Sequence, residues 1–68
     1  MRLKELRKQN KITQIRLAMD LNLNQNSISR YESNEREADY ATLIAIADYF
    51  DVSVDYLLER TDNPKKNK

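Results

Sequence analysis

Apolar residues in this 68-residue chain recur at helical spacing in five short blocks, each closed by Asn, Asp or a polar run. Helices that short are marginal alone, so the blocks must pack against one another. A chain of this length forms one domain at most, with an economical core. There is neither Cys nor His, so no disulfide framework and no thiolate or imidazole metal site can supplement that core. No loop has the acidic spacing and central Gly of a calcium site, and the chain has no Gly at all. Neither a metal nor another cofactor is expected. No apolar run approaches the ~20 residues of a membrane span, and the N-terminus does not read as a secretory signal. A cytosolic location is the default expectation.

The first helix is expected around Leu3 and Leu6, ending near Asn10 and Lys11. Thr13 is placed to cap a second helix over Gln14–Leu21, with Leu17, Ala18 and Leu21 on one face. Asn22 tolerates a left-handed turn, and Asn24 can cap a third helix over Gln25–Glu32. Asp39 caps a fourth, Tyr40–Phe50, with Leu43, Ile44, Ala47 and Phe50 inward and Ile46 on a neighbouring flank. Asp51 is a second left-handed site. Ser53 then caps a short fifth helix from Val54 to about Glu59, with Leu57 and Leu58 inward. The expected fold is all-α, five helices over residues 1–61, and residues 62–68 read as a frayed basic tail.

The third helix is unusual. Only Ile28 and Tyr31 are available to hold it to the domain; the rest is polar, and Asn26, Ser27 and Ser29 are weak helix formers. Its outer face is rich in hydrogen-bonding groups instead of strong helix formers. With the second helix and the turn at Asn22–Leu23 it forms a helix-turn-helix. Counting from Gln14, small Ala18 falls fifth, where the two helices cross closely, Asn22 ninth at the turn, and Ile28 fifteenth. An ordinary helical hairpin needs only Leu17, Leu21 and Ile28, and does not need the polar outer face.

That face fits the major groove of DNA. Gln25 and Asn26 can each pair with the N6/N7 edge of adenine, Ser29 can donate or accept, and Arg30 suits guanine or a phosphate. The competing reading is four solvated polar residues on a surface helix. Backbone contacts are expected to frame the helix: Gln14 at the start of helix 2, Asn24 and Ser27 at the start of helix 3, Asn34 and Arg36 in the next loop, and Tyr40 opening helix 4.

Total charge is only +1, but it is unevenly placed. Residues 1–36 carry eight Lys or Arg against four acids, a net of +4; residues 37–60 carry one Arg and six acids, a net of −5. The last eight residues add +2. A phosphate backbone favours the first segment and repels the second, although a solvated surface can also be uneven by chance.

At this point the chain resembles the lambda-repressor-like, Cro/C1-type helix-turn-helix family, also called the XRE family. The resemblance rests on the order and spacing of Leu3-Lys4-Glu5-Leu6-Arg7, Thr13-Gln14, Leu17-Ala18, Ser27-Ile28-Ser29-Arg30-Tyr31-Glu32, Leu43-Ile44, Ile46-Ala47 and Val52-Ser53-Val54-Asp55-Tyr56-Leu57-Leu58. It implies binding to operator DNA in transcriptional control, with repression expected ahead of activation, commonly as a dimer on a partly palindromic site. It assigns base reading to Gln25, Asn26, Ser29 and Arg30, a phosphate contact to Gln14, and a structural pair to Arg7 and Glu32. Where relatives often place Gly, this chain has Lys11, Asn22, Asn34 and Asp51. Asn and Asp suit left-handed turns; Lys11 need not adopt one, so the end of the first helix stays open. Ala38 stands where Pro is frequent, and Ile15 occupies a usually polar position.

Two further readings follow. A pairing surface is expected around Tyr49, Val54, Tyr56 and Leu57, where acidic surroundings would keep it off DNA. Alternatively the chain is a protein-interaction module, such as an antitoxin, using its Tyr residues, Ile15 and its acidic half. An enzyme is not expected, because no nucleophile here has a recognisable catalytic partner.

Overall fold

The computed structural model describes residues 1–65, which form α1 (Leu3–Gln9), α2 (Gln14–Asp20), α3 (Gln25–Glu32), α4 (Tyr40–Tyr49) and α5 (Val54–Leu57), with no strand among them. Four of the five starts are capped as the sequence requires. The side-chain oxygens of Thr13, Asn24, Asp39 and Ser53 accept from the N–H groups of Arg16, Ser27, Thr42 and Tyr56 at 3.0, 2.7, 2.9 and 3.0 Å.

All five helices end the same way. One residue past each C-cap, the chain enters the left-handed region: Lys11, Asn22, Asn34, Asp51 and Glu59, with φ between 56° and 65°. Each turn closes with the paired bonds of a Schellman motif. After α1, for instance, Lys11 N–H donates to the Lys8 carbonyl at 3.1 Å and Ile12 N–H to the Arg7 carbonyl at 3.2 Å. Lys11, which the sequence left open, is thereby settled: a reversal at the end of α1 demands the conformation whatever the side chain. Glu59, expected inside helix 5, instead makes the turn that ends it.

Each helix contributes to the core: Leu3 and Leu6 from α1, Leu17 and Ala18 from α2, Ile28 and Tyr31 from α3, Ile46 and Ala47 from α4, and Leu57 from α5, with Val52 between the last two. Two inward assignments change. Ile46 is fully buried, whereas Ile44 is 53% exposed. The core face of α4 runs through Leu43, Ile46, Ala47 and Phe50, an unbroken i, i+3, i+4, i+7 set, and Ile44 sits about 100° round from Leu43. Leu58 is exposed because α5 stops at Leu57 and Leu58 is its C-cap.

Arg2 closes the fold. Its N–H donates to the Leu57 carbonyl at 2.8 Å, its Nε donates to the Tyr56 carbonyl at 2.9 Å, and its guanidinium lies 4.5 Å from the Tyr56 ring centroid. Arg2 also donates to Asp62 at 3.0 Å, and Ser53 N–H donates to the Pro64 carbonyl at 3.0 Å. These bonds connect the first part of the expected 62–68 tail to the domain; residues 66–68 of that tail lie outside the described residues.

Candidate nucleic-acid interface

α3 occupies the span expected for it. Ile28 is fully buried and Tyr31 nearly so, while Gln25, Asn26, Ser29 and Arg30 are exposed. At about 100° per residue these four share an arc of about 140° on the side away from Ile28 and Tyr31. The helix is thus fixed by two apolar side chains and presents a polar surface. Small Ala18, only 4% exposed, is buried on α2, the helix that packs against α3.

A hydrogen-bonded chain continues from the interior to that surface. Arg7 grips Glu32 with two bonds, Nε to Oε2 at 2.6 Å and a terminal guanidinium nitrogen to Oε1 at 3.2 Å. The other terminal nitrogen of Arg7 donates to the Ile12 carbonyl at 3.0 Å. Glu32 Oε1 also accepts from Gln14 Nε2 at 3.0 Å, and Gln14 Oε1 accepts from Gln25 Nε2 at 3.4 Å. Burial pushes the Glu32 carboxyl upward, but the hydrogen bonds from Arg7 and Gln14, with the positive charge of Arg7, outweigh it and hold the group below its ordinary value. The hydrogen bond to Glu32 correspondingly raises Arg7. Sequence reading paired Arg7 with Glu32 but missed the extension through Gln14 to Gln25. The available signal was that both glutamines are the first residues of consecutive helices.

The residues expected to frame the helix are distributed around it. Gln14 is half-buried in the chain just described. Asn24 uses its side-chain oxygen as the cap of α3, leaving its amide nitrogen as the donor, and Ser27 is half-buried. Asn34 makes the left-handed turn after α3, and its Oδ1 accepts from the amino group of Met1 at 3.0 Å. Arg36 is exposed, as is Tyr40, at 85%. Asn34, Arg36 and Tyr40 line one open groove of about 410 Å³, with Met1, Leu43 and Leu58.

The expected pairing surface needs correction. Leu57 is fully buried, because a four-residue helix places it, three residues after Val54, against the core. Val54 and Tyr56 are half-buried. Tyr49 is exposed at 38%, and its hydroxyl donates to Asp20 at 2.6 Å. Asp20 also accepts from Arg16 at 3.0 and 3.2 Å, so these three residues tie α2 to the end of α4. The hydrogen bond from Tyr49, then that from Arg16, holds Asp20 below its usual value, and the bond to Asp20 raises Tyr49. On α2, Ile15 and Met19, one turn apart, are 57% and 73% exposed.

Among the described residues, no helix is long and apolar enough to cross a membrane. Nor does any group of three or more Asp or Glu side chains there offer a metal site.

This geometry agrees with what the chain is similar to. A family model described as helix-turn-helix matches residues 3–57. Three curated relatives come from Bacillus subtilis (strain 168). The uncharacterized HTH-type transcriptional regulator YqaE is 46% identical over 63 residues, 93% of this chain and 54% of that protein. The HTH-type transcriptional regulator ImmR is 40% identical over 67 residues, 98% of this chain and 53% of that protein. The uncharacterized HTH-type transcriptional regulator YobD is 38% identical over 63 residues, 93% of this chain and 56% of that protein. The chain thus spans about half the length of these relatives. No solved structure matches it significantly. With α2 packed against α3 and the polar arc of α3 facing outward, the chain belongs to the Cro/C1-type helix-turn-helix family of DNA-binding, transcription-regulating proteins.

Proposed function

We propose that this domain binds operator DNA with α3 in the major groove, and that it represses transcription by occupying that site. The carrying observation is the exposed arc of Gln25, Asn26, Ser29 and Arg30 on a helix anchored by Ile28, Tyr31 and Glu32. Gln25 and Asn26 read adenine edges, while Ser29 and Arg30 contact the flanking base or phosphate. Gln14, Asn24, Ser27, Asn34, Arg36 and Tyr40 hold the backbone on either side. The net positive charge of residues 1–36 attracts the duplex, whereas the acid-rich segment that follows contributes no such attraction. Repression requires only that the bound domain exclude other proteins from the same DNA. This work is done in the cytoplasm, beside the DNA, and involves no catalytic step.

One eight-residue helix reads few base pairs, so two copies on a partly palindromic site double the contacts. The pairing surface draws on Tyr49, Val54 and Tyr56, with Leu57 supporting it from the core. Sedimentation with and without operator tests this: two copies per palindrome are expected, and strict 1:1 binding to a full palindrome rejects it. A reading in which the chain acts mainly through a protein partner is favoured by exposed Ile15 and Met19. Selection of bound duplexes from a random pool decides between the readings. A recovered, repeated half-site supports DNA binding; recovery of no sequence preference favours the protein partner.

A further inference from the structure

We infer that residues 61–65 form a strap that gates the pairing of two copies: when docked, it locks the Arg2 guanidinium over the Tyr56 ring and withholds that ring from a second copy. This rests on the proposal that two copies pair through Tyr56.

The strap is held at both ends of α5. At the end of the helix, one terminal guanidinium nitrogen of Arg2 donates to the Thr61 carbonyl at 3.3 Å and to Asp62 Oδ1 at 3.0 Å. At its start, Ser53 N–H donates to the Pro64 carbonyl at 3.0 Å. That second bond fills a gap. The Ser53 side chain caps α5 by accepting from Tyr56 N–H at 3.0 Å. In a capping box the residue three positions on, a Glu or Gln, reaches back to the N–H of the cap. Here that residue is Tyr56, and the Pro64 carbonyl takes the part instead. Two local bonds shape the strap itself: Asn63 N–H donates to Thr61 Oγ1 at 3.2 Å, and Lys65 N–H to Asn63 Oδ1 at 3.1 Å. The two steps from Asp62 to Pro64 span about 7 Å when extended, and the four helical steps from Ser53 to Leu57 rise about 6 Å. The strap therefore runs alongside α5, antiparallel to it.

Arg2 is where the strap meets the pairing surface. Its guanidinium lies 4.5 Å from the Tyr56 ring centroid, its Nε donates to the Tyr56 carbonyl at 2.9 Å, and its side chain is only 18% exposed. Glu5 adds an ion pair at 3.5 Å. A second copy that stacks on this ring face must displace the guanidinium, and the two strap acceptors oppose that. The strap itself can leave without opening the core: Asp62, Asn63, Pro64 and Lys65 are exposed and Thr61 half-buried. In a symmetric pair both copies must be open, so pairing is weakened by the square of the open fraction.

The test is sedimentation across a concentration series without DNA. It compares the wild type with Asp62→Arg and with a chain carrying Thr61→Gly, Asp62→Ser, Asn63→Gly and Pro64→Ser, each checked for helical content and a cooperative melt. Asp62→Arg sets a second guanidinium against Arg2 at a fully exposed position, so the fold is kept. The Gly/Ser strap keeps its length and loses its local order. Amide hydrogen exchange at Ser53 reports the strap, slow in the wild type and fast in both variants. Both variants should pair roughly tenfold more tightly than the wild type, the gain that an open fraction of about one third implies. Adding Tyr56→Ala should remove the gain. Unchanged pairing in variants whose Ser53 amide has become fast overturns the inference, and so does a gain that survives Tyr56→Ala. A Ser53 amide that is fast in the wild type, or slow in both variants, also overturns it, because the strap is then not held as described. The pairing reading is judged separately, by wild-type stoichiometry on a palindrome. Two copies there, with unchanged pairing of the strap variants, reject the strap alone; strict 1:1 binding rejects both.

Discussion

Glu32, at the end of α3, and Arg7, on α1, form a two-bond ion pair in which the Glu32 side chain is 5% exposed and the Arg7 side chain 12%. Breaking one side of such a pair leaves the other charge desolvated without a partner. Arg7→Met should therefore destabilise the domain by about 3 kcal/mol, whereas Arg7→Met with Glu32→Met should cost much less. Urea unfolding of the two variants measures the difference. Equal losses would mean that the pair acts only through packing.

The same carboxylate makes stability depend on pH. Glu32 is held below its ordinary value despite its burial, and hydrogen bonds hold Asp20 and Asp39 low as well, from Tyr49 and Arg16 in one case and from Thr42 in the other. A depressed folded value favours the native state while the carboxylate is ionised. That contribution is complete above the unfolded values, about 4, and is lost as pH falls through the lower folded ones. The urea midpoint should be level from about pH 7 to 5 and fall below about 4. Glu32→Gln should lower the neutral midpoint and flatten the acid limb. A midpoint that rises on acidification contradicts this.

The five left-handed helix ends contain no Gly, and Lys11 and Glu59 have side chains poorly suited to that conformation. Lys11→Gly and Glu59→Gly should each stabilise the domain by about 1 kcal/mol, visible as a rise of several degrees in thermal midpoint. Asn22→Gly should gain less, because Asn already tolerates the turn. Loss of stability at Lys11→Gly would show that its side chain contributes more than its backbone strain costs.

Ala18 of α2 is 4% exposed, in the same core as fully buried Leu17 and Ile28. Ala18→Leu should force the helices apart and cost about 1–3 kcal/mol. Chemical denaturation checks the loss, and the DNA affinity of the still-folded fraction should fall with it, because α3 is displaced. A neutral substitution would place the crossing elsewhere.

Much of this was legible in the residues. Asn24 before a polar run with Ile28 and Tyr31 three apart gave both ends of α3, because caps and apolar period are local signals. The exposed polar arc of Gln25, Asn26, Ser29 and Arg30 followed from that register. What failed or stayed open was set by tertiary context. Lys11 carries no signature of a left-handed turn; the chain reversal imposes it. Leu57 and Leu58 are adjacent apolar residues in a helix too short for periodicity to rank them, and the turn at Glu59 decides which points inward. The link from Glu32 through Gln14 to Gln25 joins two helices, so no window of sequence displays it.

The central claim, that the exposed arc of α3 reads DNA, meets its most direct test in the affinity of the domain for a duplex recovered by selection, measured against the double variant Gln25→Ala/Asn26→Ala. Both side chains are exposed, so the fold and the thermal midpoint should change little. Each adenine contact contributes about 1–3 kcal/mol of discrimination. Affinity for the selected duplex should therefore fall by roughly a hundredfold, toward that for unrelated DNA, while the weak, salt-sensitive binding to unrelated DNA persists. A folded double variant that keeps the wild-type affinity and preference would contradict the claim.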